Sequence, residues 1–261
     1  MNSSAARIRI QYEGSVIIRY FSYLRDMIQT RSYHGAIIDE CVAEGSNKIA
    51  YLILPERLDA DGLRWIERTS ASYNISIAII SGIDWNNDLT PWVADSLGKK
   101  DMPFRGHASF FLGTFIKDYL TNIEDRHNIA KASRTLVGVS LSGLFALWAA
   151  HNCDSFDNIV SISGSFWYDH FAEWVQGHDI FKPLDRAYIA IGDKEKKNKD
   201  PRLNNLLPCT ETIVEDMRKK ASRLKFEIEP GTSHFSSIIP RLEKAFDYIC
   251  SSKTEGDGDD D

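Results

Sequence analysis

The chain has 261 residues, of which 43% are apolar and 11% aromatic, enough for a globular core and unlike a low-complexity or disordered chain. Its formal charge of −6 is concentrated at the end, where Thr254 to Asp261 (TEGDGDDD) carries five acids and no base. The rest is close to neutral, which excludes a basic nucleic-acid footprint, and residues 253–261 read as a solvated, disordered acidic tail.

Cys41, Cys153, Cys209 and Cys250 are scattered, with neither a CxxC pair nor metal-ligand spacing, so they read as free thiols in a reducing compartment. The opening MNSSAARIRI has no apolar signal region, and no apolar run approaches a membrane span. These features predict a cytoplasmic protein without nucleic-acid or membrane partners. No metal-ligand set or nucleotide loop appears, so no cofactor is expected.

Residues 1–252 read as one α/β domain, with 1–47 as antiparallel edge strands. Arg7 to Tyr12 alternates like a strand, as does Ser15 to Tyr20. Tyr20 to Thr30 reads as a helix and Tyr33 to Val42 as a strand. From Lys48 the pattern becomes regular. Lys48 to Leu54 (KIAYLIL) is a near-continuous apolar run, as expected of a strand covered on both faces. A helix is predicted over Asp61 to Ser72 and a buried strand over Ile75 to Ile80. The loop from Ser81 to His107 is longer than a connection requires and is a candidate binding loop. Ser109 to Arg126 is amphipathic, with Phe111, Phe115, Tyr119 and Ile123 on one face. Further strands are predicted at 135–137, 159–162, 186–191 and 224–229, and further helices at 142–151, 168–175, 211–224 and 238–250. Strands alternating with helices imply a mostly parallel sheet with helices on both faces.

Arg134 to Ala150 reads RTLVGVSLSGLFALWAA, an apolar strand turning into a run of helix formers through Gly138-Val139-Ser140-Leu141-Ser142-Gly143. A serine at a sharp strand-to-helix corner is the nucleophile elbow of α/β hydrolases, where small neighbours let strand and helix pass closely. Gly138 meets that demand. Ser142 stands where glycine is usual, with Gly143 next.

The partners of such a serine follow it in the order acid, histidine. Of seven histidines, His234 alone follows Ser140 at the end of the last strand, in Glu229-Pro230-Gly231-Thr232-Ser233-His234-Phe235. His151, His170 and His178 lie on or near helices and read as structural. The acid belongs after the strand at 186–191, where Gly192-Asp193-Lys194-Glu195 offers two carboxylates. The Gly-x-x-acid spacing common in this fold selects Glu195, with Asp193 and Asp200 as alternatives. An oxyanion hole requires two backbone N–H groups. Leu141 would supply one. The other would come from the loop after strand 48–54, where Pro55 has no N–H and Glu56 or Arg57 must serve.

These motifs together resemble the putative esterase family of α/β hydrolases, which includes enterochelin (siderophore) esterases, feruloyl-type esterases, S-formylglutathione hydrolases and mycolyltransferases. Asp84 to Trp92 (DWNNDLTPW) resembles the family's Asp-Leu/Tyr-Thr-Pro loop, and Phe104 to Ala108 its glycine-then-helix segment. Gly138 to Phe145 resembles the elbow, and Ser161 to Trp167 the segment after the next strand. Gly192 to Glu195 and Gly231 to Phe235 resemble the acid and histidine positions. The likeness runs from about residue 48 to 250. It implies serine-dependent hydrolysis of a small carboxylic ester through an acyl-enzyme, on a siderophore-like or aromatic substrate. Trp85, Trp92, Phe166 and Trp167 are the candidate pocket aromatics. An acyltransferase or thioesterase on the same scaffold, or a binding protein that has lost turnover, is the alternative. The presence of all three triad residue types favours catalysis.

Overall fold

The computed structural model describes residues 28–98, 101–129, 132–196 and 201–251. The strands expected at 7–12 and 15–20, the acidic tail and Asp200 lie outside the described residues, as does most of the helix expected over 20–30.

The sheet is built from β1 (Ile28–Tyr33), β2 (Ala36–Cys41), β3 (Lys48–Ile53), β4 (Ser76–Ser81), β7 (Ser133–Val139), β8 (Asn158–Ile162), β9 (Leu184–Gly192) and β10 (Ala221–Glu229). Their order is β1-β2-β4-β3-β7-β8-β9-β10. β2 runs against both neighbours, and every pair from β4 to β10 is parallel. A small ribbon, β5 (Val93–Ala94) with β6 (Phe104–Arg105), and the short helix α2 (Trp85–Asp88) give the 81–107 loop a structure of its own.

The strands are buried because side chains alternate between two apolar layers. Ile49, Tyr51 and Ile53 enter one core, and Ala50, Leu52 and Leu54 the other. The second core is closed by α1 (Ala60–Tyr73) and α8 (Ile239–Cys250), where Trp65 meets Phe246 edge-on at 5.7 Å. Asp59 caps α1 by accepting from the Gly62 N–H, and Asn74 ends it in the left-handed conformation. The first core is covered by α3 (Ala108–Thr114), α4 (Thr121–His127), α5 (Leu141–Asn152), α6 (Phe171–Gln176) and α7 (Leu206–Met217). In α5 every residue from Leu141 to His151 is buried, as its all-round apolar sequence requires. No helix among the described residues is long and apolar enough to cross a membrane.

Between α3 and α4 the chain makes a π-helical turn, Phe115–Leu120. The aromatic stripe explains it. Residues 111, 115, 119 and 123 repeat every fourth position, which drifts about 40° per step on an α-helix of 3.6 residues per turn. An i→i+5 turn is wider and cancels that drift. All four side chains accordingly stay in one core.

Three sequence expectations are corrected. Residues 28–30 are strand, and β1 and β2 are two strands in place of one over 33–42, because His34 and Gly35 both take positive φ and close a two-residue hairpin turn. α6 begins at Phe171, three residues after the expected start, behind the left-handed His170. α7 ends at Met217, and residues 221–223 already belong to β10. That edge strand is mostly half-exposed, so its polar start carries no apolar signal.

Candidate active site

β7 ends at Val139, and α5 starts at Leu141. Ser140 between them takes φ 59° and ψ −122°, a conformation that non-glycine residues rarely hold and that aims Oγ outward from the corner. The glycines around it are there for space. A Cβ on Gly138 would lie 2.0 Å from the Ser142 carbonyl oxygen, and one on Gly143 would lie 2.7 Å from Ser161 Oγ.

Ser142, the departure from the usual motif, is fully buried and used. Its hydroxyl accepts from the Val139 N–H at 2.7 Å and lies 2.8 Å from the Ile53 carbonyl. The side chain thereby ties the corner to the end of β3.

Three further strand ends bring partners to Ser140. After β10, the turn through Gly231 delivers His234, whose Nε2 stands 3.1 Å from Ser140 Oγ. After β9, the 3₁₀ turn Asp193–Lys196 delivers Glu195, whose Oε2 stands 3.0 Å from His234 Nδ1. These two turns are laced together. The Lys194 N–H donates to the Thr232 carbonyl at 3.0 Å, and a Cβ on Gly192 would lie 2.2 Å from that same oxygen. After β8, Ser163 donates to Glu195 Oε1 at 2.5 Å, as does the Gly192 N–H at 2.8 Å. Burial alone would raise the pKa of Glu195. The hydrogen bonds from His234, Ser163 and Gly192 outweigh it and hold the carboxyl below its ordinary range. Among the described residues Asp193 has no hydrogen bond or ion pair with His234, and its Oδ1 is buried without a hydrogen-bond partner.

Leu141 opens α5, where a helix leaves its first N–H groups without intrahelical acceptors. Glu56 lies exposed three residues beyond Ile53, on the turn that the Ser142 bond draws to the corner. The Arg57 side chain is committed to Asp39 and Thr30.

A cavity of about 350 Å³ opens over Ser140 and His234, walled by Leu97, Trp167, Leu203, Leu206 and Phe235, with Ser165 beside the serine. A larger cavity of about 450 Å³ lies at the opposite ends of the strands, near Lys48, Asn158 and Arg186, away from Ser140.

Of the four expected pocket aromatics, only Trp167 lines the cavity over Ser140. Phe166 is fully buried and stacked on Phe171. Trp92 packs among Tyr168, Phe171 and Trp174 and donates its Nε1–H to the Asp169 carbonyl. Trp85 borders a separate depression with Met102 and Arg105. These three are held by packing elsewhere.

Sequence reasoning did not single out Ser163, Ser165, Leu203 or Leu206. The two serines had a usable signal, since they follow the strand beside the nucleophile's own, where sites of parallel sheets collect. Ser165 Oγ lies 3.4 Å from Ser140 Oγ, and its N–H donates to the Ser140 carbonyl.

Comparison with known proteins identifies the family and the fold. The family model described as Putative esterase matches residues 63–245. The uncharacterized protein YbbA of Bacillus subtilis (strain 168) is 30% identical over 165 residues, 60% of this chain. That alignment spans just under two thirds of the relative, 66%. Among solved structures, the siderophore hydrolase EstB from Aspergillus nidulans superposes with a TM-score of 0.66 at 17% identity, over 86% of this chain and 95% of that one. An IroE-like serine hydrolase from Shewanella oneidensis gives 0.68 at 17% identity, over 85% and 79%. At such identities these two likenesses speak for the fold. The family match shows that the chain belongs to the putative esterase family, and the two structural likenesses give it the α/β-hydrolase fold.

Proposed function

We propose that this protein is a carboxylic ester hydrolase that works through a serine nucleophile and an acyl-enzyme. The observation that carries the reading is the continuous line from Ser140 Oγ to His234 Nε2 at 3.1 Å and from His234 Nδ1 to Glu195 Oε2 at 3.0 Å. His234 takes the Ser140 proton as Oγ attacks the acyl carbon, then returns it to the departing alcohol. Glu195 fixes the imidazole tautomer and stabilises the imidazolium. A water activated by the same histidine then hydrolyses the acyl-serine, releasing the acid and restoring Ser140. The Leu141 N–H and, from the turn after β3, the Glu56 N–H are the proposed oxyanion donors.

The substrate in this reading is a small ester with an aromatic or apolar acyl group, supported by the walls of Leu97, Trp167, Leu203, Leu206 and Phe235. The siderophore hydrolases among the structural neighbours make a siderophore ester the first natural substrate to try. Four unpaired cysteines support a reducing, cytoplasmic setting.

Hydrolysis of p-nitrophenyl acetate and butyrate tests the mechanism. Ser140→Ala and His234→Ala are expected to lose on the order of 10³-fold or more in kcat. A fluorophosphonate is expected to label Ser140 in the unaltered protein alone. Equal turnover by Ser140→Ala would remove the serine from the mechanism.

A further inference from the structure

Behind Glu195 stands a second buried charge pair. Arg241, in the first turn of α8, donates through Nε to Glu229 at the end of β10, and Lys244 reaches the other Glu229 oxygen at 3.1 Å. Arg241 Nη2 points toward Glu195 Oε1 but stops at 3.8 Å, an ion-pair distance too long for a hydrogen bond. That nitrogen is buried without a hydrogen-bond partner among the described residues. The three side chains of Glu195, Glu229 and Arg241 are at most 4% exposed. One guanidinium therefore lies between two buried carboxylates and is bonded to one.

Arginine forms its strongest pairs by closing a two-pronged fork on both oxygens of a carboxylate. A fork on Glu195 would compete for Oε2, the oxygen that faces His234. As it stands, Ser163 and the Gly192 N–H fill Oε1, and Oε2 is left to the imidazole. We propose that Glu229 is a positioning residue that holds Arg241 off Glu195, so that the acid keeps one oxygen for His234. This rests on the serine-hydrolase reading above.

Charges attract strongly where water is scarce. Without the Glu229 charge, Glu195 is the one other carboxylate within ion-pair distance of Arg241 among the described residues. The guanidinium would close on it and draw it from His234. Neither Glu229 nor Arg241 lines the substrate cavity, so the damage should fall on kcat with little change in KM.

The test compares wild type, Ser140→Ala, Glu229→Gln, Arg241→Gln and the Glu229→Gln/Arg241→Gln double variant on p-nitrophenyl butyrate, with circular dichroism reporting folding. Glu229→Gln is expected to lose about tenfold or more in kcat with KM within about twofold, and the added Arg241→Gln to restore most of it. Retained kcat in folded Glu229→Gln overturns the proposal. So does a comparable loss when Glu229→Gln is added to the Arg241→Gln background. That second comparison stands even if Glu229→Gln alone fails to fold, since the double variant leaves no buried cation unpaired. The downfield Nδ1–H resonance of His234 reads the Glu195 contact without turnover. It should vanish in Glu229→Gln and return in the double variant, and its persistence in the single variant overturns the proposal. Equal turnover by wild type and Ser140→Ala would instead be a failure of the serine reading.

Discussion

Glu124 and Glu195 are both buried beside an arginine, and they meet it in opposite ways. Glu124 on α4 is closed by a full fork, Arg134 Nε at 2.6 Å and Nη2 at 2.7 Å, and also accepts the Tyr51 hydroxyl at 2.7 Å. Its oxygens are fully engaged, and the cluster ties α4 to β3 and β7. Glu195 has a more deeply buried arginine beside it, yet the two stay 3.8 Å apart and His234 takes the remaining oxygen. The first arrangement holds the structure together. The second leaves one carboxylate oxygen to the imidazole of His234. The difference lies in what else engages each arginine.

The sharpest way to break this comparison is to neutralise each glutamate in turn. Glu195→Gln is expected to lower kcat by about 10²–10⁴-fold, because the imidazole loses its orienting acceptor. Glu124→Gln should leave kcat of the folded protein unchanged and cost about 2–3 kcal/mol in denaturant unfolding, since the half-buried Arg134 loses its countercharge. A swap of these two phenotypes would invalidate the contrast.

A buried base sharpens it by pH. The His151 Nδ1–H donates to the Leu147 carbonyl at 2.9 Å, and burial lowers its pKa from 6.5 to about 4. The unfolded chain therefore binds the proton first as pH falls. The stability of the native state is complete above about pH 6.5 and declines toward about pH 4, by roughly 3 kcal/mol in all. Urea titrations across that window should reveal the decline in wild type and a flatter profile in His151→Gln.

The smallest expected effect is at Ser163. Its bond helps hold the Glu195 pKa low, so that bond stabilises the fold above the ordinary glutamate range and ceases to do so as pH falls through the folded value. Ser163→Ala should cost about 1–2 kcal/mol near pH 7 and progressively less below about pH 4. A cost that did not vary with pH would mean that the hydroxyl matters for packing alone.

The legible parts of the sequence were those with one dominant physical demand. Lys48 to Leu54 and Ile75 to Ile80 could satisfy their apolar runs only as strands covered on both faces. Gly138 and Ser140 marked the corner because close passage of strand and helix leaves few alternatives. The edges were harder to read. Ala221 to Arg223 begins a strand with little burial, and the hairpin at His34-Gly35 is set by backbone φ more than by composition. Leu203 and Leu206 reach the cavity through a turn and a helix start, whose aim no periodicity encodes. Phe166 and Trp167 are neighbours in sequence, yet one stacks on Phe171 and the other faces Ser140. The two aromatic letters carried the same compositional signal, and only backbone direction separates them.

The π turn at Phe115–Leu120 makes its helix a gauge of chain length. A turn of this kind holds one residue more than an α-helix would, so deleting a single residue there would let it rewind as α-helix with the far end still within about 20° of its present face. An added residue has no such outlet and would rotate everything beyond by about 100°. Glu124 would then swing away from Tyr51 and Arg134, and Arg126 from Glu40. Replacing or deleting exposed Lys117 should leave the fold intact, whereas inserting a residue beside it should not. Among descendants of this chain, the segment is free to change its letters and to lose one of them, and constrained against gaining another.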